Sequence, residues 1–334
     1  MERLVEYYLT SRRLNVFVVT PGDPSPHALC LTYEYEDLAK RVAAFRRAIW
    51  REEPVGEFAG ALGAVLLEPL RTLRLIEDED VLCIAPHRCL HGLPFAALGS
   101  QGEHALLRNP IAHLPSGAVL PAVLRSTSDP TGRAIVVVHN SDKDAEELRA
   151  SFQREAASIA AILDADIIDA SDGDTLAALS TRLPGARAVH FVCHAHYGGR
   201  GRSGLVLRDE KGADRLASME ELSALRLDGT LVSFGGCETG RAEPHQSDDR
   251  RGIVRAALTA GASSVLATLW PIHSHMAEIV FAAFFEAWEA GYSRAESLRR
   301  AQRHLMEQSE NDLDLSGSAL PTHWAPYILV GSWR

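Results

Sequence analysis

Apolar residues recur along the chain in two rhythms. In the first third, residues 16–19 and 29–33 are short apolar runs on either side of Pro21-Gly22-Asp23-Pro24, a turn sequence, and read as a pair of strands. Residues 37–50 then carry Leu38, Val42, Phe45 and Ile49 at spacings of 4, 3 and 4, which is one apolar stripe at helical period. Residues 59–75 form a second helical stretch interrupted at Pro69, and residues 81–85 a short buried strand ended by Pro86.

Past residue 130 the rhythm changes. Short apolar runs without polar alternation recur between helical segments, the pattern of a parallel sheet covered on both faces. The predicted strands are 134–138, 166–169, 188–193, 230–234, 264–269 and 327–330, and the predicted helices 146–163, 175–183, 252–260, 276–290 and 294–308. Ser218-x-x-Glu221 and Ser293-x-x-Glu296 have the form of capping boxes. Residues 204–209, followed by Glu210-Lys211-Gly212, read as a small hairpin outside the sheet, and 311–321 as a polar loop. The Ser, Thr, Asp and Pro of 126–132 mark the boundary between a smaller α/β unit, 1–130, and a larger one, 131–334. The fold class is α/β, with no internal repeat.

Composition narrows the function classes. The chain has 334 residues, 46% hydrophobic and 23% charged, as an ordinary globular protein does. Its formal net charge of −10 repels a phosphate backbone, so no direct nucleic-acid partner is expected. No apolar run approaches the roughly 18 residues that span a bilayer, and charges interrupt any signal-like core in MERLVEYYLTSRR. No membrane partner and a cytoplasmic location are the expectation. Five cysteines, Cys30, Cys83, Cys89, Cys193 and Cys237, are odd in number and thinly spread, which fits reduced thiols better than a disulfide framework. Only three of the 34 basic residues are lysine, a codon bias pointing to a GC-rich, bacterial genome.

In open α/β sheets, reactive groups gather beyond the carboxyl ends of the strands. Ala188-Val-His-Phe-Val-Cys-His194 puts His194 just past one predicted strand, and Leu231-Val-Ser-Phe-Gly-Gly-Cys237 puts Cys237 just past the next. A lone cysteine or histidine in such a place is most often a packed core residue. A pair on successive strand ends is a nucleophile with its base, provided the strands are neighbours. Gly235, Gly236 and Gly240 allow a sharp turn that exposes N–H groups to an oxyanion.

Val189-His-Phe-Val-Cys-His194, Ser233-Phe-Gly-Gly-Cys-Glu-Thr-Gly240 and Ala260-Gly-Ala-Ser-Ser-Val-Leu-Ala-Thr-Leu-Trp-Pro271 resemble the signature blocks of CHAT-domain cysteine proteases, caspase-like relatives of separase. His91-Gly-Leu-Pro-Phe-Ala-Ala-Leu98 resembles their N-terminal block and His323-Trp-Ala-Pro-Tyr-Ile-Leu-Val-Gly-Ser-Trp333 their closing strand. The resemblance implies a caspase-like, mostly parallel sheet flanked by helices in 131–334, with a pseudo-caspase-like, catalytically empty pseudo-protease unit in 1–130. It implies that His194 is the general base, Cys237 the nucleophile, and the backbone N–H groups of Ala195 and Cys237 the oxyanion donors. Most relatives have glycine where Ala195 stands, and alanine takes positive φ poorly. His190, four residues before His194, is read as core or as support to it.

The same resemblance implies a cysteine endopeptidase acting on a specific protein, without a cofactor. Such modules are regulated by TPR or other sensor partners, and some are encoded beside the protein they cleave, including bacterial gasdermins and other defence effectors. The chain has no room for a sensor of its own, so it reads as a stand-alone protease or as the catalytic part of a longer one. In separase-like relatives an acidic residue after the Leu-Trp pair holds a basic P1 side chain, whereas His273 and Ser274 stand there in this chain. Metacaspase-like relatives have Asp two residues before the nucleophile, and here it is Gly235. Gly235, Gly236, His273 and Ser274 are therefore expected to meet an apolar or small P1 residue, and Asp248 and Asp249 either to contact basic residues further out or to be a solvated loop. Two other readings stay open: a metal-dependent hydrolase using His190, Cys193, His194, His196, His273 and His275, and an inactive scaffold of the same fold. Residues 190 and 193 face opposite ways on a regular strand, which weighs against one shared ion.

Overall fold

The computed structural model describes residues 1–23, 25–100, 102–125, 130–141, 143–169, 173–196, 203–235, 247–308 and 320–334, with only the backbone course of 247–251. Two compact units are present. The first comprises Met1–Ala122, Arg294–Leu329 and Trp333–Arg334, and the second Val123–Ser293 and Val330–Ser332.

In the first unit, β1 (Glu2–Leu9), β2 (Arg13–Val19) and β3 (His27–Thr32) form an antiparallel meander, the last two as the turn sequence predicts. β1 was not predicted, although Val5, Tyr7 and Leu9 are buried in alternation with Glu6 and Tyr8. It pairs in parallel with β4 (Val81–Ala85), which pairs in parallel with β5 (Ile111–His113). Helix Tyr35–Trp50 buries Leu38, Val42, Phe45, Ala48 and Ile49, the stripe read from spacing. Pro69 falls in the first turn of a short helix, Glu68–Thr72, that restarts after helix Gly56–Leu66.

The second unit is a parallel α/β layer. It contains β6 (Ile135–Val138), β7 (Asp166–Asp169), β8 (Ala188–Val192), β9 (Ala195–His196), β10 (Gly204–Arg208), β11 (Asp214–Ser218), β12 (Leu231–Gly235) and β13 (Ser264–Thr268). The order β13-β12-β8-β6-β7 is parallel throughout, whereas β11-β10-β9 is a separate antiparallel sheet that includes the predicted hairpin. Every residue of β6, β8, β12 and β13 is buried, which is why these strands read as unbroken apolar runs. Val189, Phe191, Val232 and Phe234 face a core shared with Leu179, Ile253 and Ala256. On the opposite face lie helices Glu146–Leu163 and Ser274–Glu289, packed against each other.

The boundary read at 126–132 lies a few residues past the break between units, but residues 294–329 group with the first unit. Helix Arg294–Gln308 is the reason: Arg299 makes a two-pronged ion pair with Glu79 at 2.6 and 2.9 Å, and Gln302 Nε2 donates to the Trp324 and Tyr327 carbonyls. β14 (Tyr327–Gly331) follows β5 in strand order. Proximity in sequence cannot reveal such a return. No helix among the described residues is long and apolar enough to cross a membrane.

His113 gives the fold a pH dependence. Its ring is buried edge-on to Phe95 at 5.9 Å, and burial pushes its pKa from 6.5 down to about 4. Above pH 6.5 both folded and unfolded states hold it neutral; as pH falls from 6.5 toward about 4, only the unfolded state takes up the proton, and stability is lost. Urea unfolding at pH 7.5 and at pH near the lower end should therefore show a smaller acid-induced loss for His113→Phe than for the wild type. An equal loss would show that this ring does not set the dependence.

Candidate active site

The carboxyl ends of β6, β8 and β12 lie side by side. The register pairs Val138 with Val192 and Val192 with Gly235, so the chain leaves the three strands at one level. The histidine reached two residues past Val192 is His194. There the backbone turns out of the parallel sheet: Cys193 stays buried, the His194 carbonyl accepts from the Val206 N–H at 2.8 Å, and Ala195 opens β9. The strands carrying the predicted base and nucleophile are thus hydrogen-bonded neighbours, as the reading requires.

His194 is held by a residue the sequence reading did not single out. Its Nε2–H donates to Asp144 Oδ1 at 2.8 Å, and the Phe152 ring lies 5.2 Å from the imidazole. Asp144 is fixed in turn. Its Oδ2 accepts from the Ser141 N–H at 2.9 Å, and Ser141 Oγ donates to Asp214 Oδ2 at 2.6 Å. Asp214, at the start of β11, also binds His139 Nε2 at 3.0 Å. Burial alone would raise the Asp214 pKa, but the hydrogen bonds from Ser141 and His139 hold its carboxyl below the usual range.

Ala195 differs from what a glycine-to-alanine departure suggests. It keeps negative φ and lies in β9 opposite Leu205, so alanine costs no strain there. Because Val206 N–H bonds to the His194 carbonyl, Leu205 and Ala195 form a non-hydrogen-bonded pair. The Ala195 N–H therefore points away from β10, off the edge of the small sheet.

Beneath this edge lies a buried polar cluster. His190, on β8, shares a 2.8 Å hydrogen bond through Nδ1 with Ser233 Oγ, its register partner on β12, and a 3.0 Å one through Nε2 with Glu155 Oε1. All three side chains are inaccessible to solvent, and the Phe281 and Phe285 rings pack on the imidazole. Burial pushes the Glu155 carboxyl up, against the pull of His190. His190 is accordingly core support, with both ring nitrogens engaged. Gly235 is required for space: a Cβ there would lie 2.0 Å from Glu155 Oε1 and 2.9 Å from His190 Cε1. Its φ is not positive, and it is the last residue of β12. An aspartate at 235 would meet the Glu155 carboxylate, which occupies that place.

His273 is the residue before helix Ser274–Glu289 and Ser274 opens that helix, beyond the carboxyl end of β13, which neighbours β12. Gly236 and Cys237 lie outside the described residues, as does Gly240. Asp248 and Asp249 fall within helix Ser247–Thr259, and their side chains lie outside the description. No group of three or more His, Cys, Asp or Glu that could hold a metal is present among the described residues.

The family model for the CHAT domain matches residues 56–332. The chain belongs to the CHAT domain family. No curated protein matches it in sequence. Among solved structures it is similar to the Saccharomyces cerevisiae separase–securin complex at 3.0 Å, with 13% identity and a TM-score of 0.49 over 76% of this chain and 15% of that chain. For the same complex at 2.6 Å the values are 13%, 0.47, 81% and 17%. The chain thus spans well under two thirds of the length of those chains.

The contact between Gly235 and Glu155 is testable by itself. Gly235→Ala should lower the unfolding free energy by roughly 1–3 kcal/mol, the usual cost of overpacking. Combined with Glu155→Ala in a double-mutant cycle, it should show a coupling of about 0.5 kcal/mol or more, since the second change empties the space the first one fills. Additive effects would mean that the two residues do not meet.

Proposed function

We propose that the chain is a cysteine endopeptidase in which Cys237 is the nucleophile and His194 the general base. The observation that carries this reading is the level register of β8 and β12: Val192 pairs with Gly235, His194 comes two residues after the one and Cys237 two after the other. Neighbouring strands lie about 4.8 Å apart, so the strand ends at Val192 and Gly235 are adjacent on one sheet edge. His194 takes the thiol proton at Nδ1, and the thiolate attacks the scissile carbonyl carbon. The oxyanion is met by the N–H groups of Ala195 and Cys237. The C–N bond breaks as His194 returns the proton to the leaving amine. Water, deprotonated by His194, then hydrolyses the thioester and restores the thiol. No cofactor is needed for any step.

Specificity follows from missing charge. His273 and Ser274 flank the P1 pocket beyond β13, with the backbone of Gly235 and Gly236 beneath the substrate. A buried guanidinium without a carboxylate partner costs several kcal/mol, so P1 is apolar or small. Asp248 and Asp249 meet basic residues further out. The substrate is a specific protein, encoded nearby in a bacterial genome and released to cleavage by a sensor or TPR partner; a bacterial gasdermin is the first to try.

Cys237→Ala should abolish cleavage of the neighbouring genes' products, and His194→Ala should slow it on the order of 10²-fold or more, while circular dichroism stays unchanged. Full turnover by folded Cys237→Ala protein would reject the mechanism. Profiling on a peptide library should give apolar or small P1 residues, and a dominant arginine or lysine would mean that the pocket is misassigned.

A further inference from the structure

We infer that Asp144 is a positioning residue of the site: its carboxylate holds His194 by Nε2–H and thereby makes Nδ1 the nitrogen that works. The inference rests on the reading of His194 as general base. An ionised carboxylate only accepts hydrogen bonds, so the neutral imidazole in this contact carries its proton on Nε2 and its lone pair on Nδ1. The contact is no loose surface pair, since the side chains of His194 and Asp144 are only 16% and 10% exposed.

The carboxylate is itself held from several sides. Its second oxygen takes the Ser141 N–H, the Asp144 N–H returns to the Ser141 carbonyl at 3.1 Å, and Ser141 is tied through Asp214 to β11. The same loop is tied to the end of β8 two residues before the histidine, because the His139 N–H donates to the Val192 carbonyl at 3.0 Å. Buried Phe152 restricts rotation of the ring. His190 differs from His194 in its surroundings. That ring is inaccessible and bonded through both nitrogens, whereas His194 is partly exposed and, among the described residues, bonded through Nε2 alone.

The test uses the full chain with ¹⁵N-labelled histidine and iodoacetamide as the probe of thiolate, its adducts located by mass spectrometry. In the wild type, ¹⁵N shifts should show His194 as the Nε2–H tautomer. Asp144→Asn is nearly isosteric, and its amide can turn a donor toward Nε2; it should shift the ring toward Nδ1–H and slow alkylation of Cys237 by roughly ten- to a hundredfold, the scale of a misplaced catalytic group. An Nδ1–H tautomer in the wild type, or wild-type alkylation in Asp144→Asn, would overturn the role. His194→Ala separates the two failures. If it alkylates at the wild-type rate, the pairing of His194 with Cys237 is itself rejected; if it is slow while Asp144→Asn is not, only the role of Asp144 falls.

Discussion

The parallel hydrogen-bonded pairing of β8 with β12 constrains the rest of the second unit. Both strands are wholly buried, so any polar side chain in them must find a partner or forfeit hydrogen bonds to water. His190 and Ser233 meet that demand only because they are register partners, and Glu155 completes the set from helix Glu146–Leu163. A slip of one residue would turn Ser233 to the opposite face and leave the imidazole unsatisfied. The register that satisfies the core also brings Val192 and Gly235 level, which sets where the chain emerges at the sheet edge.

What happens at that edge depends on loops that the sheet alone does not determine. The chain leaves β8 at Cys193 and enters the small antiparallel sheet within two residues, so His194 is clamped between two sheets rather than carried on a free loop. The loop after β6 adds Asp144 from one side, and β11 supplies Asp214 to brace that loop. Three separate segments thereby fix one ring, an arrangement that suits a group required to hold its orientation through a reaction.

Much of this was legible in sequence. Buried parallel strands announce themselves as short apolar runs, and helices Glu146–Leu163 and Arg294–Gln308 have the bounds their stripes predict. The capping box at Ser218 and Glu221 is formed as spacing indicates. β1 carried a two-residue alternation in Val5, Tyr7 and Leu9 that went unused. Glu155 had a signal too: it lies on the same helical face as Phe152, Ala156 and Ile159, and an acid on an apolar stripe needs a buried partner. Asp144 had none. It lies in an acidic loop fifty residues from His194, and only the folded register of β6 against β8 shows which of those acids reaches the ring.

The proposed mechanism requires that one thiol, activated by one imidazole, performs acyl transfer. The most direct measurement is covalent capture with a peptidyl acyloxymethyl ketone bearing an apolar first residue, which reacts where an enzyme thiolate attacks a bound carbonyl. Burial pushes the thiols of Cys83 and Cys89 upward, that of Cys89 to about 11, so neither competes. Exposed Cys30 is the internal control. One adduct per chain is expected, on Cys237 and lost in His194→Ala. Labelling of Cys237 no faster than that of Cys30, or unchanged without His194, would contradict it.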